Sequence, residues 1–366
     1  MTDPLFERAL PGVQKLQPYE PGKPIAELKR ELGLDDIVKL ASNENPLGAS
    51  PRALAAVRDA LSDVSLYPDG NGFELKHALA EHHAIDTACI TLGSGSDHII
   101  ELIARAFLAP GRNAVMSQYG FAVYAIVTQA AGAELRVAEA ADYCHDLKTI
   151  ASLVDADTRV VFLANPNNPT GTWFDARSLD DLLATVPADT LVVIDEAYFE
   201  YVNEPGYPDS RALLDEHPNL VVMRTFSKAH GLAGLRVGYA LASPVVTDLL
   251  NRVRLSFNPN ALAQVAAVAA IEDTDHVHKT VVLNRAERVR VDEGLRELGL
   301  ATIPSVCNFV SVEVGRPARE VFKALLAEGV IVRPLDGYGL PQHVRVSVGL
   351  PRENDRLLAA MKKVLA

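Results

Sequence analysis

Short β-branched runs alternating with helical patterns between residues 93 and 242 predict an α/β fold whose large domain is a mostly parallel sheet flanked by helices. The runs stand at 113–117, 134–137, 159–164, 190–194, 220–224 and 238–242, with room between most of them for a crossover helix. After Pro244 the chain reads as helical for roughly 50 residues. It then alternates again through 309–314, a helix over 317–328, runs at 330–332 and 343–348, and a last helix from 353, which predicts a smaller α+β domain. A chain of 366 residues exceeds one compact core, and the expected division is 1–50 for an N-terminal arm and part of the small domain, 51–255 for the large domain, and 256–366 for the small C-terminal domain.

The elements follow in order. Pro4, Pro11, Pro18, Pro21 and Pro24 argue against a regular helix and predict an extended arm lying on the body or on a neighbouring subunit, a disordered tail being the competing reading. Ser50-Pro51 reads as an N-cap followed by proline at the first helical position, opening an amphipathic helix through about residue 62. The apolar run 261–271 is shorter than the roughly 20 residues that cross a bilayer and reads as buried helix. With Asp3 and Glu7 and no apolar core, the N-terminus does not read as a signal peptide.

Composition narrows the function classes. With 35 basic and 47 acidic residues the net charge is −12, and no Lys/Arg run offers a nucleic-acid footprint. Cys89, Cys144 and Cys307 are odd in number and far apart, the pattern of a reduced cytoplasmic protein without a structural zinc site. His82, His83 and His145 show no metal-ligand spacing, so no metal is expected.

In an open α/β sheet, ligands bind beyond the carboxyl ends of the strands. Three consecutive runs end in chemistry-bearing residues: Asn165-Pro-Asn-Asn-Pro-Thr-Gly171, Asp195-Glu-Ala-Tyr198 and Thr225-Phe-Ser-Lys228. Singly, the aspartate reads as a cap and the lysine as solvated. Together they supply an amine for a Schiff base, a carboxylate for a protonated ring nitrogen and two groups that hydrogen-bond a phenolate oxygen, the set that pyridoxal 5′-phosphate requires. Leu92-Gly-Ser-Gly-Ser-Asp97 precedes a helical pattern, so its N–H groups can meet a phosphate at a helix N-terminus, with Ser227 and Arg236 completing the cup. The spacing matches neither a P-loop nor a dinucleotide fingerprint.

Ser227-Lys-Ala-His-Gly-Leu-Ala-Gly-Leu-Arg-Val-Gly-Tyr239 resembles the lysine motif of class I/II aminotransferases of fold type I, whose large domain carries a seven-stranded sheet. Over nearly its whole length the chain is similar to the histidinol-phosphate aminotransferases, through Ser42-Asn-Glu-Asn-Pro-Leu-Gly48, Tyr67-Pro-Asp69, Gln118-Tyr-Gly120, Val332-Arg-Pro-Leu335 and Val344-Arg-Val-Ser-Val-Gly349. The resemblance implies Lys228 as the Schiff-base lysine and Asp195 as the partner of the ring nitrogen. It makes Tyr198 and Asn168 donors to the ring oxygen, and Tyr119 the residue stacked on the ring. Gly95, Ser96, Asp97, Ser227 and Arg236 hold the cofactor phosphate, and Tyr67 reaches that of a neighbouring subunit in a homodimer.

For the substrate, the resemblance assigns Arg345 and Arg333 to its anionic groups and places Tyr19 and Asn43 on the arm that closes over it. The implied reaction converts L-histidinol phosphate and 2-oxoglutarate to imidazole acetol phosphate and L-glutamate. Aromatic amino acid transamination and decarboxylation of threonine phosphate are alternatives on the same scaffold. Two positions depart from the pattern: His98 stands where glutamate is usual, and His230 where an aromatic is.

Overall fold

The computed structural model describes residues 3–18 and 22–365. The arm is less extended than its prolines predict. Pro4 and Pro11 open two short helices, α1 (Pro4–Arg8) and α2 (Pro11–Gln14), and α3 (Ile25–Leu32) follows Pro24. At the first turn a helix has no use for the N–H that proline lacks, so residues that bar a helix interior here start helices. Gly12 lets α2 dock closely: a Cβ there would stand 1.9 Å from the Gln129 carbonyl oxygen.

The body begins with β1 (Val38–Lys39) and α4 (Pro51–Ala60), where the Ser50 hydroxyl accepts from Ala53 N at 3.1 Å as the N-cap pattern predicts. Then come α5 (Phe73–His83), β2 (Ile90–Gly93), α6 (Ser96–Phe107), β3 (Asn113–Ser117), α7 (Ala122–Ala130), β4 (Glu134–Ala138), α8 (Leu147–Ser152), β5 (Thr158–Ala164), α9 (Ala176–Thr185), β6 (Leu191–Asp195), β7 (Leu220–Thr225) and β8 (Gly238–Ala242). They form a seven-stranded sheet in the order β2-β8-β7-β6-β5-β3-β4. Strands β3 to β7 pair in parallel, while β8 runs antiparallel to both its neighbours. The four-residue β2 is too short to stand out in the sequence, and it pairs at the edge through β8 alone.

Alternation along each strand divides the core in two. Val161, Leu163, Val192, Ile194 and Val222 face the layer that contains α4, α5, α9 and α11 (Ala261–Glu272). Val160, Phe162, Val193, Val221 and Met223 face the layer of α6, α7 and α10 (Pro244–Val253). Helix α11 falls beyond the division expected at residue 255, yet Ala263, Ala266, Ala267 and Ala270 lie in the large-domain core against α4 and α5. Its small side chains carry little apolar area of their own and allow close helix approach, so they pack as part of a larger core.

The remaining chain comprises α12 (Thr274–Glu297), β9 (Ala301–Ile303), β10 (Phe309–Glu313), α13 (Ala318–Ala327), β11 (Val330–Ile331), β12 (Arg333–Pro334), β13 (His343–Ser347) and α14 (Pro351–Leu365). An antiparallel sheet β12-β13-β10-β9 packs against α12, α13 and α14, and β1 pairs in parallel with β11 through Val38 and Val330. The N-terminal segment is thereby stitched into the C-terminal unit.

Phe162 is fully buried and lies flat against Tyr124, with ring centroids 4.9 Å apart. Phe162→Ala is expected to destabilise the chain by about 3–5 kcal/mol in urea unfolding, because it removes a large buried ring and leaves a cavity.

Candidate active site

The carboxyl ends of β5, β6 and β7 open into a cavity of about 180 Å³ closed on its far side by β12, β13 and the 41–43 segment. Parallel pairing brings the three strand ends level, which is how residues far apart in sequence meet. Asn43, Ser96, Asp97, Asn168, Asp195, Tyr198, Ser227, Lys228, Arg236, Arg333 and Arg345, all expected site residues, line it together.

Asp195 ends β6 with its carboxylate buried at the cavity floor. Tyr124 Oη donates to Oδ2 at 2.9 Å and Ala197 N to Oδ1 at 3.1 Å. Burial pushes the carboxyl up to about 6, while the Tyr124 hydrogen bond pulls the other way. Lys228 reaches in from the turn after β7, where Nζ donates to the Ser42 carbonyl at 3.2 Å and stands 5.6 Å from the Tyr198 ring centroid. Desolvation, and then the Arg345 charge, lower its amine to about 8. Tyr198 Oη accepts from Asn43 Nδ2 at 2.9 Å, and burial raises the phenol above its ordinary value.

One corner is built for an anion. Helix α6 begins at Ser96 behind Gly95, with no side chain capping its first N–H groups. Arg236 Nη1 donates to Ser227 Oγ at 3.3 Å, and its Nη2 lies 3.4 Å from Asp97 Oδ2. Gly95 has φ +81°, a backbone conformation that favours glycine, and a side chain there would push the Arg236 guanidinium aside. The opposite wall is cationic: Arg333 and Arg345 are register partners on β12 and β13. Arg345 is buried, donates through Nη2 to the Ala41 carbonyl at 3.0 Å and through Nη1 to Asn168 Oδ1, and keeps Nε unpartnered.

Other expected residues stand differently. Asn43 lines the cavity, but its amide is already engaged by Tyr198 and by Ser347 Oγ at 2.9 Å, so in this structure it braces the wall. Tyr119, expected to stack on the cofactor, is not on the cavity lining; its ring lies 5.8 Å from Tyr143. Phe121 lines the cavity instead, because the turn after β3 aims the residue entering α7 at the strand ends. Tyr67 is 81% exposed and stacks on Phe257 at 4.3 Å, away from this chain's cavity. Tyr19 lies outside the described residues. The sequence reading missed Phe121 and Tyr124, the N-cap of α7 and a residue of its first turn, which both line the cavity.

This donor set fits pyridoxal 5′-phosphate: a phosphate corner made by a helix N-terminus, Ser227 and Arg236, a carboxylate at the far floor, an amine between them and an aromatic wall.

A family model described as aminotransferase class I and II matches residues 35–361. The chain is 59% identical over 360 residues to histidinol-phosphate aminotransferase 2 of Pseudomonas aeruginosa, covering 98% of each. It is 56% identical to histidinol-phosphate aminotransferase 2 of Methylococcus capsulatus, again with 98% of each covered. Among solved structures, histidinol-phosphate aminotransferase from Sinorhizobium meliloti in complex with pyridoxal-5'-phosphate superposes with a TM-score of 0.89 at 32% identity, covering 98% of this chain and 97% of that one.

The raised Asp195 value has a stability consequence. Its folded value lies above its ordinary 3.8, so the folded chain binds the extra proton and stability falls as pH rises from about 4 to about 6. Asp195→Asn removes that penalty. The variant without cofactor is expected to be more stable than wild type at pH 7, by up to about 3 kcal/mol in urea unfolding, with the gain disappearing near pH 4.

Proposed function

The chain belongs to aminotransferase class I and II, and on that premise we propose that it converts L-histidinol phosphate and 2-oxoglutarate to imidazole acetol phosphate and L-glutamate, with pyridoxal 5′-phosphate as cofactor. The observation that carries the substrate assignment is the pair Arg333 and Arg345, side by side on β12 and β13 and facing Lys228 across the cavity. Two guanidiniums suit a phosphate dianion, and the same pair serves a dicarboxylate such as glutamate in the other half-reaction. When bound, the cofactor supplies a carbonyl that condenses with amines and an electron-poor ring that stabilises the charge left as the Cα–H bond breaks.

The chain's own residues supply the rest. Above about pH 8 Lys228 is mostly a neutral amine, the form that would hold the cofactor, and its Nζ would serve as the base that accepts the proton from the substrate's Cα. Asp195 pairs with the protonated ring nitrogen, and that cation offsets the burial cost of the carboxylate. Tyr198 and Asn168 donate to the ring oxygen, and Phe121 offers the aromatic face. Gly95, Ser96, Ser227 and Arg236 bind the phosphate, Asp97 adjoins it, and the substrate's anionic groups go to Arg345 and Arg333. Tyr19 and Asn43, on the arm side, belong to the same substrate wall in this reading.

We also read the enzyme as a cytoplasmic homodimer. Leu61, Val64, Leu66, Tyr67, Phe73 and Phe257 expose apolar surface within two stretches joined by the Tyr67–Phe257 stack, which supports a second copy there and Tyr67 reaching its phosphate corner. Three free cysteines support a reducing compartment.

Absorbance titration of the cofactor-loaded enzyme tests the substrate. Histidinol phosphate at low concentration is expected to bleach the visible cofactor band, and glutamate to do the same in the biosynthetic direction. A response to phenylalanine alone overturns the assignment in favour of an aromatic aminotransferase, and carbon dioxide release from phosphothreonine in favour of a decarboxylase. Arg333→Gln is expected to raise KM for histidinol phosphate about 10–100-fold with kcat nearly unchanged, the loss of one charge-assisted contact made alike in ground and transition states. Steady-state kinetics on the purified variant check it.

A further inference from the structure

Glu196, Glu200, Arg224 and His230 are absent from the cavity lining, yet they bracket the residues that form it. Glu196 and Glu200 stand on either side of Tyr198 in the chain, and Arg224 and His230 on either side of Lys228. The two segments are joined pairwise. Arg224 Nη2 lies 2.8 Å from Glu196 Oε2, its Nε donates to the same oxygen at 2.9 Å, and its guanidinium sits 3.6 Å from the centroid of the Phe199 ring. His230 Nε2 stands 3.6 Å from Glu200 Oε1, an ion pair whenever the imidazole carries its second proton, and the ring packs on Phe226 at 4.8 Å.

Main-chain pairing has ended by this point. Among the described residues, the last link between the two segments is Glu196 N to Met223 O at 2.8 Å, so beyond it side chains alone couple the Tyr198 loop to the Lys228 loop. Glu196 has no exposed side-chain surface and Arg224 has 7%. A buried ion pair yields little net stability over an apolar pair of the same volume, so its contribution here is directional.

We propose that Arg224 and His230 are positioning residues: by gripping Glu196 and Glu200 they hold Tyr198 and Lys228 at a set spacing on the cavity wall. The consequence for turnover rests on the transamination reading, whereas the geometry stands without it. His230 occupies the position where the family motif more often carries an aromatic, so its pair with Glu200 is a contact that such residues lack. The groups that act on the Lys228 amine include Arg345, Asp97, Glu44, Arg236, the Cys307 thiol, the Tyr198 phenol and the Ser42 carbonyl. Substituting His230 or Glu200 removes none of them. A changed proton affinity at Lys228 therefore reports movement of the loop and entry of water.

The test uses Glu200→Gln, which keeps volume, and His230→Phe, which keeps a flat ring but loses both ring nitrogens, with Arg224→Lys as the variant that keeps charge but loses the fork. In the full-length chain stripped of cofactor, the pH dependence of Lys228 acetylation by acetic anhydride is followed by peptide mapping. The midpoint, near 8 in wild type, is expected to rise by about half a unit or more in His230→Phe and Glu200→Gln. In the loaded enzyme kcat is expected to fall about tenfold while KM for histidinol phosphate stays within about twofold, with Arg224→Lys intermediate if it folds. An unchanged midpoint and kcat in folded His230→Phe and Glu200→Gln overturn the proposal. A shifted midpoint in an enzyme whose wild type ignores histidinol phosphate supports the positioning role and sinks only the substrate assignment.

Discussion

The structure depends on keeping one carboxylate, Asp195, at the dry end of a buried parallel strand. Its neighbours on β6 are fully apolar, and the strands on both sides bury it further. A charge in that place costs free energy in the folded chain unless a cation or donors meet it. Tyr124 and the Ala197 amide supply part of the compensation, and under the proposed function a protonated ring nitrogen would supply more. A cation bound beside Asp195 would lower that cost and so stabilise the folded chain.

The same logic explains the uneven charge of a protein that is acidic overall. Lys228, Arg236, Arg333 and Arg345 converge on one cavity, while Asp97 and Asp195 are the only carboxylates lining it among the described residues. Burial, and then the Arg345 charge, lowers the proton affinity of Lys228, and the cationic wall makes the cavity a favourable place for an anion. Arg345 serves both ends: it holds Asn168 and the Ala41 carbonyl, and it biases the lysine.

The N-terminal segment closes the arrangement. β1 joins β11, and just past it Asn43 ties Tyr198 to Ser347 and takes a hydrogen bond from Asn308 Nδ2 on its carbonyl at 3.0 Å. Ser42 meets Lys228 from the same turn. Residues near the start of the chain therefore set the geometry of groups some two hundred positions later, which no local propensity expresses.

Much was legible in the sequence because its causes are local or periodic. Strands β3 and β8 stand over the ranges expected for them, 113–117 and 238–242, and Ser50 caps α4 as its spacing with Pro51 requires. The three motifs after consecutive strands announced Asn168, Asp195 and Lys228, since a lone polar group after a buried strand needs a reason to be there. What only the tertiary structure decided is which neighbours each residue meets. Proline spacing could not say whether the arm's prolines would break helices or begin them. The alanine-rich α11 carries no label telling which core it joins. Phe121 displaced Tyr119 from the cavity wall because the turn after β3, rather than residue type, aims the side chain. The Glu196–Arg224 and Glu200–His230 pairs exist only because parallel strands set separate loops side by side. Sequence determines which chemistry is present and at which strand end. Packing decides orientation and partner, because those depend on groups distant in the chain that share one small, dehydrated volume.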